Sequence, residues 1–447
     1  MILGRLFSEE RVLEIAMRRL VLITASSPEI RKARRSRVLN FQQITMPYLA
    51  ARVPSGWEVT HVDEEADDIP WNIDPDVVGI TFHTPSAYHA YDLAARFRSR
   101  GSCVVMGGPH VTLLPDEARN HADVIFIGEA EGLWEEFLTG FEAGSNRSVY
   151  QQTAAPSLEN TPMARKDLFH RSDHTHGVLF ATRGCPNHCD FCTVALMYPH
   201  TTRKRPIADV VAEYASFKGK VIIFWDDNIA GDMEYAKSLF RAIAPYRKWW
   251  SSQASLQAGR DDEFLEAAAE SGCKQLFLGL ESISQQSVAH VNKSCNRVEE
   301  YFPIIQRIHS YGIAVQVGIV FGFDQDAPDI FNTTLDFLET AGVQNATFNI
   351  LTPFPGTPLF RRMDAEGRIL TRDWRKYNSR ESVVYQPRQM NVTELLAGFR
   401  SANERFYSLP SIMKRLSRSP VQFWWTLPLN LAYGYRWRKS VEDVRPE

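Results

Sequence analysis

Cysteine is scarce in this chain, which has six cysteines among its 447 residues. So few thiols exclude the disulfide framework of a small secreted protein. Glu9, Glu10 and Glu14 stand among the apolar residues near the N-terminus, which is not the composition of a secretory signal peptide. Long apolar runs are missing as well, because no stretch reaches the roughly 18 residues of a membrane-spanning helix. We therefore expect a protein of the reducing cytoplasm.

Net charge is also low. The chain has 50 Lys and Arg against 53 Asp and Glu, a formal charge of −3 at pH 7, so as a whole it has no electrostatic reason to bind nucleic acid. Its composition, 44% hydrophobic and 23% charged, is that of a globular protein, and its length is enough for two or three domains. We accordingly expect no nucleic-acid partner.

The first 141 residues alternate apolar runs of strand length with segments of helical spacing. The predicted strands are 19–24, 58–63, 77–82, 103–108 and 123–128. Strands that alternate with helices predict an α/β fold with a parallel, doubly wound, Rossmann-like sheet. Ligands of such sheets bind beyond the carboxyl ends of the strands.

Three of these strand ends carry small and polar residues. They are Thr84 and Ser86 after the third strand, Gly107, Gly108, Pro109 and His110 at the end of the fourth, and Gly128 and Glu129 after the fifth. Glycine at a strand end lets a bulky ligand approach the backbone. Tight turns need the same residues, so the spacing leaves a ligand site and plain turns equally open.

A further candidate site is a group of three cysteines at the end of another predicted strand, residues 177–182. Cys185, Cys189 and Cys192 form a C-x3-C-x2-C pattern on one loop. Thiolates favour zinc or iron–sulfur clusters. A [4Fe–4S] cluster usually takes four cysteines, so three local ligands would leave one iron open to another ligand.

Two other interpretations of these cysteines remain open. A structural zinc site needs four ligands, and His188 on the same cramped loop is the nearest fourth candidate. The cysteines outside the loop, which are isolated in the sequence, are Cys103, Cys273 and Cys295. A disulfide would leave an odd cysteine and requires an oxidising compartment. We favour the open-site cluster.

Strands that end in polar residues continue beyond the cysteine loop. Asp226, Asp227 and Asn228 follow or end the predicted strand 221–225, Gln253 and Ser255 lie near the end of 250–254, and Glu281 follows 275–280. With further strands at 313–320 and 347–351, six strand–helix repeats predict a partial, open (β/α)6 barrel of the TIM type over residues 177–358. Barrel sites lie at the carboxyl ends of the strands.

The cysteine loop resembles the signature of the radical S-adenosylmethionine (radical SAM) superfamily. Gly-Gly-Pro-His at 107–110 and Gly-Glu-Ala-Glu-Gly at 128–132 resemble the cobalamin-binding domain that precedes many radical SAM domains, and the whole chain resembles the subgroup that includes the hopanoid methylases. The resemblance implies that Cys185, Cys189 and Cys192 hold a [4Fe–4S] cluster whose open iron binds S-adenosylmethionine. One electron from an external reductant such as flavodoxin or ferredoxin then cleaves that cofactor to a 5′-deoxyadenosyl radical.

The resemblance also assigns the residues at the strand ends. Those of the barrel would contact S-adenosylmethionine, namely Asp226, Asp227, Asn228, Gln253, Ser255 and Glu281. Those of the first domain would contact cobalamin, namely Thr84, Ser86, Gly107, Gly108, Pro109, His110, Gly128 and Glu129. The chain departs from the family pattern twice. Asp-Asp-Asn replaces the usual Gly-Gly-Glu, and the Asp-x-His-x-x-Gly motif that gives cobalt a lower axial histidine is missing. The resemblance assigns no catalytic residue.

The implied function is cobalamin-dependent C-methylation of an unactivated carbon in a small-molecule substrate, with a lipid or isoprenoid as the expected class. Three alternatives stay open. They are cobalamin-dependent radical oxidation or cyclisation without methyl transfer, a radical SAM enzyme that has lost cobalamin, and a non-enzymatic iron–sulfur electron carrier.

The chain is expected to divide into a cobalamin-type domain (1–141), a polar linker (142–176), the barrel (177–358) and a helical C-terminal extension (359–447). No acidic residue lies between Arg405 and Val441, where basic residues are interleaved with aromatic ones. They are Lys414, Arg415, Arg418, Arg436, Arg438 and Lys439, with Trp424, Trp425, Tyr433, Tyr435 and Trp437. An anionic surface of the inner membrane, a nucleic acid, or a helix packed on the barrel with its charges in water would each account for this pattern.

Overall fold

The computed structural model describes residues 17–28, 30–31, 42–169, 176–198, 201–419, 421 and 423–442. The acidic residues Glu9, Glu10 and Glu14 lie outside this part, and so does the side chain of Lys439. The core consists of two six-stranded sheets, one in each half of the chain, and neighbouring strands are parallel in both.

The first sheet has the strand order β2-β1-β3-β4-β5-β6. Its strands are β1 (Arg18–Thr24), β2 (Trp57–Asp63), β3 (Val77–Thr81), β4 (Cys103–Gly107), β5 (Val124–Ile127) and β6 (Val149–Gln151). The helices of this half are α1 (Thr45–Ala50), α2 (Ala87–Ser99), α3 (Pro109–Leu113), α4 (Pro115–Ala118) and α5 (Leu133–Glu142). The order reverses between β1 and β3, so their carboxyl ends border the crevice in which such folds bind ligands. The predicted doubly wound sheet is confirmed.

The continuous apolar run of β1 follows from its central place in this sheet. Val21 and Ile23 belong to the core on one face of the sheet, and Leu20 and Leu22 belong to the core on the other. A strand covered on both faces needs apolar side chains at every position, which is typical of parallel sheets.

The second sheet follows chain order, β7-β10-β11-β12-β13-β14. The strands of this half are β7 (His176–Leu179), β8 (Thr182–Arg183), β9 (Arg203–Lys204), β10 (Val221–Phe224), β11 (Trp249–Ala254), β12 (Cys273–Glu281), β13 (Ala314–Phe321) and β14 (Asn345–Ile350), with β8 and β9 forming a separate antiparallel hairpin. The helices are α6 (Val194–Met197), α7 (Ile207–Ser216), α8 (Met233–Ile243), α9 (Asp262–Glu270), α10 (Gln285–His290), α11 (Tyr301–Ser310) and α12 (Ile330–Ala341). The edge strands β7 and β14 do not pair with each other in the described part, so the predicted partial, open barrel is confirmed.

The predicted linker, residues 142–176, takes part in the packing of both halves. It contains β6, which pairs with β5, and the Ala164 N–H donates to Glu213 Oε1 of α7 (3.0 Å). Tyr48 of α1 donates to Glu213 Oε2 (2.8 Å), and Arg205 Nη1 lies 2.7 Å from the same oxygen. Burial raises the pKa of Tyr48 well above its ordinary value. This buried polar group fixes the first domain against the barrel.

The C-terminal extension is helical, as predicted. Its helices are α13 (Pro358–Ala365), α14 (Val392–Phe406), α15 (Leu409–Ser417) and α16 (Phe423–Glu442). Helix α16 lies across the amino ends of barrel strands, because its Trp424 ring is 5.0 Å from Trp249 at the start of β11 and its Asn430 Nδ2 donates to the Gln344 carbonyl just before β14 (2.9 Å). Within the described residues, no helix combines the length and apolar character needed to cross a bilayer.

Arg415 of α15 is fully buried, although its neighbourhood in the sequence resembles an exposed basic surface. Its guanidinium donates to the carbonyl oxygens of Val343, Gln344 and Phe406 and to Asn430 Oδ1, at 2.7 to 3.0 Å. Burial lowers the pKa of Arg415 to about 10. Arg415 therefore links the extension to the barrel and is not part of a charged surface.

Candidate functional site

The loop that carries the three cysteines lies between β8 and α6, at the carboxyl ends of the barrel strands. It is fixed at Asp190, whose N–H donates to the Val291 carbonyl (3.0 Å) and whose carbonyl accepts from the Leu359 N–H (3.0 Å). Arg362 Nη1 donates to the Asp190 carboxylate (3.0 Å). The loop is therefore held by the segment after α10 and by α13.

Asp226 and Asp227, just beyond β10, hold the chain that leads into the cysteine loop. Asp226 is fully buried and accepts from the Ala181 N–H (3.2 Å) and the Thr182 hydroxyl (2.5 Å). Burial raises the pKa of Asp226 to about 7. Asp227 accepts from the Gly184 N–H (2.8 Å), directly before the first cysteine. The Asp226 carboxylate is enclosed by the backbone and positions the loop, and its contact with S-adenosylmethionine stays a prediction.

Asn228 joins the first cysteine to the end of β11. Its Nδ2 lies 3.8 Å from Cys185 Sγ, and Asn187 Nδ2 lies 3.4 Å from the same sulfur. Hydrogen bonds to cluster sulfurs tune the reduction potential. Asn228 Oδ1 accepts from the Ser255 N–H (2.8 Å), and Ser255 Oγ is buried without a hydrogen-bond partner among the described residues. That hydroxyl is suited to a bound cofactor, whereas Gln253 is exposed at the strand end.

Glu281, at the end of β12, pairs with a lysine that sequence patterns did not single out. The strand bulges between Gly279 and Glu281, and Glu281 has a φ of 65°. Its carboxylate folds over Gly279, where any Cβ would overlap it, and lies 3.0 Å from Lys293 Nζ. Burial alone would lower the pKa of Lys293, but the charges of Glu281, Cys189 and Cys295 raise it. A cation is therefore held beside the cysteines.

The thiols share one environment, and that environment fits an iron–sulfur cluster. Burial is the main cause that raises the pKa of Cys189 to about 12; Lys293 opposes the rise, and Cys192 and Cys295 add to it. Among the described residues, no three His, Cys, Asp or Glu side chains converge tightly enough for a single metal ion. Three thiols on one loop, amide groups at a sulfur and a nearby cation suit an iron–sulfur cluster.

At the carboxyl end of the first sheet, the buried members of the predicted cobalamin set hold the strand ends together. Ser86 Oγ accepts from the Ser27 N–H (3.1 Å). His110 is fully buried, with Nδ1 3.2 Å from Thr84 Oγ1 and Nε2 3.1 Å from Tyr91 Oη. A histidine enclosed in this way is not placed to ligate cobalt, in agreement with the missing axial motif. The structure gives these residues a supporting position, and their contact with cobalamin stays a prediction.

The other members of that set lie at the surface of the same edge. Gly107, Gly108, Pro109 and Gly128 are partly exposed, and a Cβ at Gly128 would meet nothing within 4 Å, so a ligand has access to the backbone there. Gly108 has a φ of 96°, and a Cβ would overlap the Thr81 hydroxyl, which explains the glycine. Contact of these four residues with cobalamin stays a prediction.

Glu129 is paired with two arginines of the barrel, and its predicted contact with cobalamin stays a prediction. Its side chain is only 6% exposed, its Oε1 lies 2.5 Å from Arg203 Nη2, and its Oε2 contacts Arg183 Nη1. Arg183 Nη1 also lies 2.6 Å from Glu131 Oε1. Because Arg183 stands two residues before Cys185, these ion pairs tie the end of β5 to the cysteine loop.

A second contact between the two halves lies at Gly356, in the loop between β14 and α13. A Cβ at Gly356 would lie 3.4 Å from Leu113 Cδ2 of α3 and 3.5 Å from Leu196 Cδ1 of α6. Apolar side chains of the first domain and of the segment after the cysteines therefore meet at this loop. The site lies between the domains, where the carboxyl ends of both sheets face each other.

Comparison with known proteins agrees with this geometry. The Radical SAM superfamily matches residues 179–338, the B12 binding domain matches 30–138, and a domain of unknown function, DUF4070, matches 357–424. The bacteriochlorophyllide d C-12(1)-methyltransferase of Chlorobaculum tepidum is 30% identical over 413 residues, which cover 88% of this chain and 90% of that protein. The hopanoid C-2 methylase of Rhodopseudomonas palustris is 27% identical over 350 residues, which cover 74% of this chain and 66% of that protein.

Among solved structures, the radical S-adenosylmethionine methyltransferase TsrM from Kitasatospora setae, with tryptophan and a cofactor analogue bound, aligns with a TM-score of 0.70. It is 15% identical, and the alignment covers 96% of this chain and 98% of TsrM. At this identity the likeness shows a shared fold.

Fold and site together define a class of enzyme in which a cobalamin-binding domain precedes a radical SAM barrel. The chain belongs to the cobalamin-dependent radical SAM methyltransferase family. The expected cofactors, a [4Fe–4S] cluster, S-adenosylmethionine and cobalamin, are confirmed, and the non-enzymatic carrier is set aside. A small-molecule substrate and an external one-electron reductant go with this chemistry.

Replacing Glu129 with alanine is expected to weaken the contact between the domains. The change leaves Arg183 and Arg203 without this carboxylate, and breaking a buried ion pair costs roughly 3 kcal/mol. The free energy of unfolding, measured by denaturant titration of the cofactor-free protein, should fall by that amount. Glu136→Ala is the matched control, because the Glu136–Arg147 pair is exposed and its loss should cost less than about 1 kcal/mol. Equal effects of the two changes would contradict the role given to Glu129.

The Cys189→Ala variant should bind no [4Fe–4S] cluster and form no 5′-deoxyadenosine, because two thiols do not hold the cluster. Iron content, visible absorbance and product analysis after anaerobic reconstitution measure this, and circular dichroism checks that the fold is intact. Cys103→Ala, on β4 of the first domain, is the control and should keep both properties. An unchanged iron content in Cys189→Ala would overturn the cluster assignment.

Proposed function

We propose that this enzyme methylates an unactivated carbon of an apolar, ring-bearing small molecule that partitions into membranes. The observation that carries the proposal is an exposed apolar face on α16. Relatives named for methylating a bacteriochlorophyllide and a hopanoid support the same substrate class. An unactivated carbon is neither acidic nor nucleophilic, so acid–base catalysis does not reach it and a radical is required.

The exposed face of α16 is a row of large apolar side chains. Trp424, Leu431 and Tyr435 are 50%, 42% and 56% exposed and lie on one side of the helix, where part of the Trp424 ring also meets Trp249 at the edge of the barrel. Apolar residues exposed in a row indicate contact with another apolar phase. Arg438 is exposed at the end of the row, and no acidic residue lies between 405 and 441, so the row suits an anionic lipid surface.

The opposite face of α16 packs on the barrel. Thr426 and Asn430 are buried there, and Tyr433 Oη accepts from Gln316 Nε2 of β13 (3.2 Å). A helix packed on the barrel therefore explains the buried face of α16. For the exposed face of α16 we propose contact with lipid.

Helix α16 and the cysteine loop lie at opposite ends of the barrel. Helix α16 covers the amino ends of the strands, and the cysteine loop lies at their carboxyl ends. Membrane contact through α16 would hold the enzyme at the surface with its site turned away from the bilayer. This arrangement favours a substrate that can leave the bilayer over one confined to its centre.

Within the site, the chain orients the cofactors and excludes water. When bound, the cofactors supply the carbon radical and the methyl group. The thiols that would hold the cluster are those of Cys185, Cys189 and Cys192. Ser255 and Glu281 would contact S-adenosylmethionine through an unpartnered hydroxyl and a carboxylate. Leu113 and Leu196 meet at Gly356 between the domains, where their apolar side chains would help to exclude water from a bound substrate.

Turnover with membrane extracts tests the substrate class. Reduced, reconstituted enzyme incubated anaerobically with lipid and pigment extracts and methyl-labelled S-adenosylmethionine should place label in an apolar product one methylene unit heavier than its precursor. Mass spectrometry of the organic phase measures this, with Cys189→Ala as the inactive control.

Two other outcomes would count against the proposal. A product that loses hydrogens or gains oxygen would favour oxidation or cyclisation; the anaerobic magnesium-protoporphyrin IX monomethyl ester cyclase of Cereibacter sphaeroides is 23% identical over 372 residues. Label confined to water-soluble products would contradict the apolar substrate class.

A Trp424→Glu, Leu431→Glu double variant should lose binding to vesicles that contain phosphatidylglycerol, because it removes apolar area and adds negative charge. Affinity in co-sedimentation should fall more than about tenfold. Phe302→Glu is the matched control, since Phe302 is a 43% exposed aromatic side chain on α11. Similar binding by the two variants, or no binding by the unchanged protein, would contradict membrane contact through α16.

A further inference from the structure

Trp374 of the C-terminal extension is buried in the core of the first domain. It begins a short 3-10 helix (Trp374–Lys376), is only 6% exposed, and belongs to the same buried cluster as Val78 of β3 and Met106 of β4. Its indole N–H donates to the carboxylate of Glu117, with Nε1 3.0 Å from each oxygen. The extension therefore reaches a charged group of the first domain that lies 257 residues earlier in the chain.

Glu117 of α4 connects Trp374 to α3. Its Oε1 accepts from the Tyr91 hydroxyl (3.0 Å) and lies 3.4 Å from His110 Nε2 of α3. Burial alone would raise the pKa of Glu117, but the hydrogen bonds from His110, Trp374 and Tyr91 lower it. The His110 ring also packs edge to face on the Trp374 ring, with centroids 5.9 Å apart. Trp374 therefore holds His110 both directly and through Glu117.

Helix α3 in turn holds two of the glycine-bearing strand ends that the resemblance assigns to cobalamin. Gly107 and Gly108 immediately precede α3, and Thr112 Oγ1 of α3 accepts from the Gly128 N–H after β5 (3.0 Å). Both strand ends lie at the carboxyl edge of the first sheet, where ligands of such folds bind. A movement of α3 would therefore displace the backbone at both of them.

The extension is itself fixed at the carboxyl end of the barrel, on both sides of Trp374. Helix α13, which precedes Trp374, binds the cysteine loop. After Trp374, the Ser379 carbonyl accepts from the Ile350 N–H at the end of β14 (2.7 Å), and the Tyr385 hydroxyl donates to the Gly322 carbonyl after β13. Trp374 therefore holds α3 relative to the end of the barrel that carries the cysteine loop.

We propose that Trp374 is a positioning residue for cobalamin, which keeps α3 in the orientation that lets the cofactor reach the backbone at Gly108 and Gly128. The inference rests on the proposed methyl transfer, in which cobalamin binds at this edge of the first sheet. Tryptophan suits this role because its ring fills an apolar core while its single N–H meets a carboxylate. Trp374 acts through Glu117 and His110 and does not contact the cofactor.

The test measures the binding of hydroxocobalamin to the full-length protein with its cluster reconstituted, by equilibrium dialysis and visible absorbance. Trp374→Phe keeps an aromatic ring and removes the N–H, so the dissociation constant should rise about tenfold. Glu117→Gln should weaken binding at least as far, and the double variant little further, because both changes break the same contact. Trp71→Phe is the matched control and should bind normally, since Trp71 packs on the same core with its ring stacked on Phe97 (4.9 Å).

Unchanged cobalamin affinity in Trp374→Phe, with only a lower free energy of unfolding, would overturn the proposal and leave Trp374 a structural role. Trp374→Phe should keep its iron content, because the contact of α13 with the cysteine loop is intact; loss of iron together with cobalamin would also contradict the proposal. Failure of the proposed function differs from both results, because the unchanged protein would then bind no cobalamin, or would bind it normally and methylate no substrate.

Discussion

The charge pairing at Glu129 determines how the two domains and the cysteine loop are arranged. A carboxylate that is 6% exposed is costly to bury unless cations meet it, and the barrel supplies Arg183 and Arg203. Arg183 also belongs to the short hairpin from which the cysteine loop departs. The first domain therefore cannot shift without disturbing the loop, and the position of the cobalamin-type edge at the barrel mouth follows from an electrostatic requirement.

Inside the barrel, too, carboxylates hold the cysteine loop in place. Asp226 and Asp227 accept hydrogen bonds from the backbone that leads into the loop, while Asn228 lies against Cys185 and the Ser255 N–H. The Asp-Asp-Asn sequence, which departs from the Gly-Gly-Glu usual in radical SAM enzymes, therefore has a structural explanation. Asp226 and Asp227 position the loop, whereas the Asn228 side chain contacts Cys185 Sγ and the Ser255 N–H at the end of β11.

The parts of the site that sequence could predict are those set by chain order. Carboxyl ends of parallel strands meet at one edge, so Cys185 and Glu281 could be assigned to one site from their strands alone. Lys293 could not, because it lies in an irregular segment that only tertiary packing brings to Glu281. The ion pairs of Glu129 could not be predicted either, since its partners stand 54 and 74 residues later in the chain.

In the C-terminal extension, amino-acid composition does not predict which side chains are buried. Its basic and aromatic residues are those of a lipid or nucleic-acid surface, yet Arg415 is buried among carbonyls while Trp424 is exposed. The difference arises because the carbonyls of Val343 and Gln344, at the amino end of β14, need donors, and the C-terminal helices supply them through Arg415 and Asn430. These hydrogen bonds fix the face of α16 that carries Asn430 against the barrel. The opposite face of α16 carries the exposed apolar residues. Both faces lie at the amino ends of the barrel strands, whereas the cysteine loop lies at the carboxyl ends, so the packing of α16 does not depend on the cluster site.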